Sequence, residues 1–389
     1  MLSRRMFTQR CLGSLSALAL RQVTASPASA AQPALLDPVT LGDLKLPNRV
    51  IMAPLTRGRA GGHRTANTLM AEYYAQRSDA GLIIAEATAI SPMGYGWVGS
   101  PAIYTEQHAV GWKVVTEAIH RRGGRVFLQL WHTGRVSHPD FLGGKTPIAP
   151  SAIIATGHTH TPLGKKPFVM PRAMVLKEIL GTVRDYARAA QLAREARFDG
   201  VEIHAGNGYL IDQFTRDGTN HRTDAYGGSV RNRLRFLLEV TDAVLRVWPA
   251  EKVGVRLSPR VEFGNIRDSN PAATFTQAAK ALNRFGLSYL HVIEYLPTDP
   301  QTLPQPRVAP QMRAAFDGSF ILNGGYDAAT GAMALNAGEA DMIAYGRWYL
   351  ANPDLVERFR RGAGLNNPDA STFYTSGAQG YTDYSALQS

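Results

Sequence analysis

Residues 200–206 read GVEIHAG, a short apolar and β-branched run that ends in a histidine and two small residues. Such a run is typical of a strand in a parallel sheet that is covered on both faces. Seven similar runs follow the same pattern: RVIMAPL (49–55), GLIIAEATAI (81–90), RVFLQLWH (125–132), VGVRLSP (253–259), LSYLHVIEY (287–295), FILNGG (320–325) and ADMIAYGR (340–347). The chain is therefore predicted to contain eight parallel strands.

Helix-like stretches separate these runs: 66–79, 107–122, 174–198, 228–248, 271–285 and 327–338. Within 174–198, Val175, Ile179 and Val183 recur at helical spacing. Eight strands that alternate with helices predict an α/β fold, a single (β/α)8 TIM barrel. A doubly wound sheet is the competing fold, but no GxGxxG motif follows the first run.

One connection departs from this regular alternation. Residues 133–173, after the third strand, are rich in proline, glycine and histidine and are too long for an ordinary connection. Loops of this kind at the top of a barrel commonly cover the active site, so we expect this long insertion to do so.

Composition excludes several classes of protein. The 389 residues are 44% hydrophobic and 19% charged, with 37 glycines and 23 prolines, which excludes a disordered or collagen-like chain. No apolar run approaches the roughly 20 residues of a membrane-spanning helix. The formal charge is +11, but four arginines lie within the first 30 residues and the other basic residues form no dense block. We therefore expect no nucleic-acid partner.

The amino terminus has the order of features found in secretory signals. Ser3-Arg4-Arg5-Met6-Phe7 fits the twin-arginine pattern, the apolar run 11–20 follows, and Ala28-Ser29-Ala30 resembles a cleavage site. A basic, disordered tail is the alternative interpretation. We predict a twin-arginine-type signal peptide at residues 1–30 and a barrel domain at residues 31–389.

The cysteine count excludes thiol-based chemistry. Cys11, the only cysteine, lies in the predicted signal, so the mature domain would lack thiols. Disulfides, iron–sulfur clusters and thiol nucleophiles are then excluded.

Catalytic groups of such barrels follow the strands, so the strand ends are informative. None of these ends carries a lysine, which argues against a Schiff-base aldolase. His132 and His204 follow the third and fourth strands, but no acidic cluster accompanies them. We therefore expect no metal site.

The last two strands end in glycines. Asn323-Gly324-Gly325 and Gly346-Arg347 each precede a predicted helix, a place where barrels commonly bind phosphate on backbone N–H groups. These glycines could equally serve only to turn the chain. Gln129, Arg256 and Thr56 at other strand ends suit a flat, electron-poor ring that accepts and donates hydrogen bonds.

Longer motifs carry a resemblance to a known family. They are NRVIMAPLTR (48–57), LQLWHTGRVSHP (128–139), FDGVEIHAGNGYLIDQF (198–214), TNHRTDAYGGSVRNRLRFLLEV (219–240), YGRWYLANPDL (345–355) and FYTSGAQGYTDY (373–384). Together they resemble the old yellow enzyme family of FMN-dependent ene-reductases, from about residue 35 to the C-terminus.

The resemblance implies a cofactor, an electron donor and site residues. Noncovalent FMN would be reduced by NADPH or NADH and would be held by Pro54, Leu55, Thr56, Ala87, Gln129, Arg256, Asn323, Gly324, Gly325, Gly346 and Arg347. His204 and Asn207 would bind an oxygen of a small-molecule substrate, and Tyr209 would donate a proton. Trp131, Trp97 and Tyr374 would line the substrate pocket.

Three positions depart from the family pattern. Trp97 lies where relatives usually carry tyrosine, and Gly264 lies where several have a polar residue. The segment Tyr295-Leu296-Pro297 lacks a tryptophan that some relatives place there. All three belong to the pocket wall, so they affect the substrate preference rather than the type of reaction.

We therefore expect an enzyme that reduces electron-poor alkenes such as enones and maleimides. The alternatives are a reductase of nitrate esters, nitroaromatics or quinones, and a non-catalytic periplasmic flavin-binding or electron-transfer protein. The signal predicts a periplasmic protein that is exported with FMN already bound and is served by a periplasmic electron donor. Inefficient export that leaves a cytoplasmic pool is the alternative.

Overall fold

The computed structural model describes residues 34–299, 301 and 303–388. Eight parallel strands form a closed barrel in chain order, and the eighth pairs with the first through Ile343 and Val50. Strands β1 to β8 of the barrel are Val50–Met52, Leu82–Ala89, Val126–Trp131, Gly200–His204, Val253–Leu257, Tyr289–Ile293, Ser319–Asn323 and Met342–Tyr345. The predicted (β/α)8 barrel is confirmed. The predicted signal peptide, residues 1–30, lies outside the described residues.

Helices surround the barrel. Helices α1 to α11 are Thr68–Ala75, Glu106–His120, Leu176–Glu195, Leu210–Thr215, Val230–Arg233, Arg235–Leu245, Pro271–Asn283, Ala309–Ala314, Ala328–Asn336, Arg347–Ala351 and Leu355–Arg361. Helix α3 buries Ile179, Tyr186 and Ala190 on the face that packs against the barrel. The predicted helix over 228–248 is interrupted at Leu234, between α5 and α6. Among the described helices, none is both long and apolar enough to span a bilayer.

A β-hairpin closes the amino-terminal end of the barrel. Val39–Leu41 pairs antiparallel with Leu44–Leu46, and Gly42 makes the turn with φ of 58°. Leu41 and Leu46 are at most 1% exposed and pack against the first residues of the strands inside the barrel. Burial of these side chains fills that end, so the carboxyl end of the barrel is left for a ligand.

The long connection between β3 and α3 contains short strands of its own. Ile148–Ala149 pairs with Arg172–Ala173, and His158–Thr161 forms a hairpin with Gly164–Pro167. The buried Arg135 donates hydrogen bonds from Nη2 to the Gly264 carbonyl oxygen at 2.9 Å and from Nη1 to the Ile153 carbonyl oxygen at 3.2 Å. The insertion therefore braces the loop that follows β5.

Candidate active site

A cavity of about 520 Å³ opens at the carboxyl ends of the strands. Every site residue expected from the sequence lines it except Trp131: Pro54, Leu55, Thr56, Ala87, Trp97, Gln129, His204, Asn207, Tyr209, Arg256, Asn323, Gly324, Gly325, Gly346, Arg347 and Tyr374. Segments that are far apart in the chain therefore meet in one place. No residue of the insertion 133–173 lines this cavity, so the insertion supports the wall from outside rather than covering the site.

Trp131 lies behind the cavity wall. Its side chain is fully buried, and its ring meets the ring of Tyr209 edge to face with centroids 5.1 Å apart. Trp131 therefore supports the position of Tyr209 and is not among the residues that line the cavity.

The turn after β4 directs three polar side chains into the cavity. Asn207 and Gly208 adopt positive φ values of 56° and 80°, so the chain reverses sharply after His204. The Asn207 N–H donates to the Ser258 hydroxyl at 2.5 Å, which holds this left-handed turn in place. A non-glycine residue in this region costs energy, a kind of strain that is concentrated at functional sites.

The protonation states of His204 and Tyr209 follow from the burial of their side chains. Burial, together with the positive charges of Arg256 and His291, holds the pKa of His204 well below its usual range, so the imidazole is neutral. Burial raises the pKa of Tyr209 far above 10, although a hydrogen bond from the Trp97 indole opposes the shift. Tyr209 is therefore protonated at neutral pH, as a proton donor must be.

A buried hydrogen-bonded network forms the floor of the cavity. Glu202 is fully buried inside the barrel and accepts from Gln129 Nε2 at 2.7 Å and from His291 Nδ1 at 2.8 Å. Burial opposes ionisation of Glu202, but His291, Arg256 and Gln129 together lower its pKa. Because the Gln129 amide nitrogen donates to Glu202, the amide oxygen is the atom of this side chain that can accept from an N–H group in the cavity. Sequence reasoning missed Glu202 and His291, since both lie within apolar runs.

Arg256 brings positive charge to the same floor. Its Nη2 donates to Asn323 Oδ1 at 3.0 Å, and Asn323 in turn donates to the Ala344 carbonyl oxygen at 2.7 Å. The buried Nε of Arg256 has no hydrogen-bond partner within the part of the chain that the structure describes. A buried unpaired donor is costly unless a ligand accepts from it.

The far end of the cavity is built from glycines. Gly324 and Gly325 have φ values of 128° and 79°, and a Cβ at Gly324 would lie 2.5 Å from the Glu294 carbonyl oxygen. Only glycine fits such a position without strain, and a glycine turn of this kind suits an anion that is bound by backbone N–H groups. The exposed Arg347 adds a guanidinium group. Asp299, which the sequence did not single out, places a carboxylate 3.9 Å from this guanidinium.

The C-terminal segment supplies the mouth of the cavity. The Tyr374 ring stacks on the Trp97 indole with centroids 5.7 Å apart. The segment is held by Arg57, whose Nη2 donates to the Gly380 carbonyl oxygen at 2.7 Å, and by Arg59, whose Nη2 donates to the Thr372 carbonyl oxygen at 2.9 Å. Arg57 directly follows the cavity residue Thr56 and Arg59 lies two residues further on, so the anchor and the site share one loop.

The donor set fits a flavin mononucleotide. A planar ring that offers both acceptors and an N–H group would accept from the unpaired Arg256 Nε and donate to the amide oxygen of Gln129. The glycine backbone and Arg347 suit a phosphate at the opposite end. Among the described residues, no cluster of three or more His, Cys, Asp or Glu side chains could hold a metal ion.

Comparisons with known proteins agree with this geometry. Residues 34–366 match the model of the NADH:flavin oxidoreductase / NADH oxidase family. The chain is 42% identical over 363 residues to 12-oxophytodienoate reductase 2 of Arabidopsis thaliana, covering 91% of this chain and 96% of that protein. Among solved structures, morphinone reductase in complex with tetrahydroNAD is 49% identical with a TM-score of 0.87, covering 92% of this chain and 98% of its own. The old yellow enzyme homologue of Zymomonas mobilis is 45% identical with a TM-score of 0.89, covering 91% and 100%.

Proposed function

Because this chain belongs to the NADH:flavin oxidoreductase / NADH oxidase family, the old yellow enzymes, which bind FMN and use NAD(P)H, we propose that it reduces alkenes conjugated to an electron-withdrawing carbonyl group. The observation that carries this proposal is the meeting of His204, Asn207 and Tyr209 at one cavity. These residues supply two groups that can bind an oxygen and one that can donate a proton.

The residues of the chain would act on the substrate as follows. Hydride transfer is the chemistry that FMN supplies when it is bound. His204 and Asn207 would donate hydrogen bonds to the carbonyl oxygen of the substrate and stabilise the negative charge that develops there. The substrate carbon next to that carbonyl group would take its proton from the Tyr209 hydroxyl. The neutral state of His204 leaves it one N–H donor for this purpose.

The reduction of cyclohexenone and N-ethylmaleimide under anaerobic conditions tests this proposal, with NADPH and NADH compared as donors. We expect the saturated products in amounts equal to the nicotinamide consumed. If the nicotinamide is consumed only in the presence of nitrate esters, nitroaromatics or quinones, the alternative substrate class is favoured. Such substrates would bind through the same two residues, His204 and Asn207. Flavin binding without any turnover would indicate a non-catalytic carrier.

We further propose that the mature protein is periplasmic and receives electrons from a donor in that compartment. The twin-arginine pattern at Arg4 and Arg5 supports this, since that export route carries folded proteins that already hold their cofactor. Fractionation of the native host tests it, with the double variant Arg4→Lys/Arg5→Lys as control. A wild-type protein that stays cytoplasmic and retains residues 1–30 would contradict the proposal.

A further inference from the structure

The cavity extends outward into a second lobe of about 490 Å³. The lobe shares Trp97, Asn207, Tyr209 and Tyr374 with the inner cavity, so a ligand placed for proton transfer from Tyr209 would project into it. Much of the remaining wall is apolar: Val261, Phe263 and Leu303. One buried cation, Arg260, interrupts this apolar wall.

Arg260 lies just beyond β5, and its side chain is only 7% exposed. Its Nη2 donates to the Leu303 carbonyl oxygen, and this is its one hydrogen bond to residues within the described ranges. The buried Nε has no hydrogen-bond partner there. The guanidinium group therefore lines the lobe with donor capacity that these protein contacts do not use.

The positive charge of Arg260 is also poorly balanced. Its nearest carboxylate is the fully buried Glu294, 4.0 Å from its Nε. Glu294 is shared with Arg307 at 3.5 Å and also accepts hydrogen bonds from the Val308 and Ala309 backbone N–H groups. One buried carboxylate therefore faces two guanidinium groups. Arg307 has a second partner in Glu339, at 3.1 Å, whereas Arg260 has none among the described residues.

One other carboxylate lies on the wall of the outer lobe. Glu262 is exposed at the rim, so water screens its charge. A guanidinium that is nine-tenths buried interacts more strongly with an anion than an exposed carboxylate repels it. The lobe as a whole therefore favours an anionic group near Arg260.

We propose that Arg260 forms an anion subsite that binds a carboxylate or phosphate carried by the ligand in the outer lobe. The inference rests on the proposed function, because it assumes that the reacting part of the ligand lies beside Tyr209. The planar guanidinium fork matches the two oxygens of either group. Two sources of this chemistry fit the lobe: an enone substrate with a carboxylate on its distal end, and the phosphates of the nicotinamide coenzyme.

Paired ligands and two variants separate these sources. The first pair is an enone that carries a terminal carboxylate and its methyl ester, tested in the oxidative half-reaction. The second comparison uses NADPH, NADH and 1-benzyl-1,4-dihydronicotinamide, which has no phosphate, in the reductive half-reaction. Arg260→Gln removes the charge from the lobe. Arg307→Gln is the matched control, since it removes the other guanidinium from Glu294 without lining the cavity.

In Arg260→Gln we expect the apparent Kd of either the carboxylate enone or the two phosphate-bearing coenzymes to rise at least about tenfold. Loss of a charge-assisted hydrogen bond predicts a change of that size. The apparent Kd values of the methyl ester and of the phosphate-free donor should be unchanged. In Arg307→Gln, the apparent Kd of every ligand should stay within about twofold of wild type. A rise confined to the carboxylate ligand assigns the subsite to the substrate, and a rise confined to the coenzymes assigns it to phosphate. Equal effects on charged and uncharged ligands, or no effect, would overturn the proposal.

A second measurement needs no variant. In the wild-type holoenzyme, calorimetry should show that the carboxylate enone binds more tightly than its ester, or that NADP⁺ binds more tightly than a nicotinamide without phosphate. Added salt should remove the difference in affinity. Equal binding within both pairs would also overturn the subsite. Because binding is read without turnover, this result is independent of whether the alkene is reduced.

Discussion

The ring of Tyr209 stands edge-on to the imidazole of His204, with centroids 5.1 Å apart and planes at 73°. The two side chains leave the end of one strand and face the same cavity. One is a neutral imidazole and the other a protonated phenol, because burial shifts both pKa values away from the charged forms. The pair therefore combines an oxygen-binding group with a proton donor, and neither group has to change its charge before the reaction.

Replacement of Tyr209 by phenylalanine should slow alkene reduction about 10²-fold or more, since general acid catalysis contributes in that range. Reduction of the flavin by NAD(P)H should stay near the wild-type rate, because that half-reaction does not use the proton. Stopped-flow absorbance measures the two half-reactions separately. Equal losses in both would show that Tyr209 is structural.

Replacement of His204 by alanine should slow alkene reduction about 10²- to 10³-fold, the usual cost of one lost donor to a developing oxyanion. In the wild type, the oxidative half-reaction should not change with pH between 6 and 8 through this residue, because the pKa of His204 lies well below that range. A rate transition near pH 6.5 that vanishes in His204→Ala would contradict the neutral assignment. The measurement is the rate of the oxidative half-reaction across this range.

Removal of the negative charge in Asp299→Asn should tighten FMN binding, by a factor of order ten. The Asp299 carboxylate is largely buried and lies next to Gly325 and 3.9 Å from Arg347, where we place the phosphate. Fluorescence titration of apoprotein with FMN measures the effect. The exposed surface variant Asp242→Asn should leave the affinity unchanged. Weaker binding in Asp299→Asn would show instead that Asp299 positions Arg347.

Glu86 should make the stability of the fold depend on pH. Burial raises its pKa from 4.5 to about 7, although the Arg57 N–H and the Tyr74 hydroxyl oppose the shift. Because the folded-state pKa lies above the unfolded value, this contribution is fully present below pH 4.5 and is lost as the pH rises through 7.

The variant Glu86→Gln removes this titration. Its free energy of unfolding relative to wild type should therefore rise by about 2–3 kcal/mol between pH 5 and pH 8. Urea denaturation at the two pH values, with FMN saturating in both proteins, measures the change. A constant or falling difference would mean that Glu86 is ionised in the folded protein at both pH values.

Loss of the arginine anchor in Arg59→Ala should free the C-terminal segment that carries Tyr374. Limited proteolysis should then cut between residues 365 and 388 at least about fivefold faster, because local opening controls cleavage. The control is Arg360→Ala, which removes an exposed arginine that pairs with Glu357 on α11. No increase in cleavage relative to that control would show that Arg59 is dispensable for the position of Tyr374.

The sequence predicted the barrel well because each strand is a short, nearly continuous apolar run. It also predicted most of the cavity wall, since strand ends such as those at Gln129 and Arg256 meet at one edge of a closed barrel. The depth of a side chain could not be predicted in the same way: Trp131 is the last residue of β3, as a cavity residue would be, but its ring packs against Tyr209 and is not part of the cavity lining.

The site residues that the sequence did not indicate share a physical reason for this. Glu202 and His291 are joined by a hydrogen bond inside the barrel, and a buried polar pair leaves no periodic signal in either strand. Asp299 and Arg260 lie on connections after strands, where position depends on the path of the loop rather than on propensity. Tertiary packing decides such placements.

The central claim, an FMN enzyme that reduces electron-poor alkenes, is tested most directly by the visible spectrum of the purified protein in an anaerobic cuvette. We predict a yellow protein that bleaches on addition of NAD(P)H and recovers its colour stoichiometrically on addition of cyclohexenone, and acid should release its flavin as FMN. A colourless protein from flavin-replete cells, release of FAD, or a bleached protein that no enone reoxidises would contradict it.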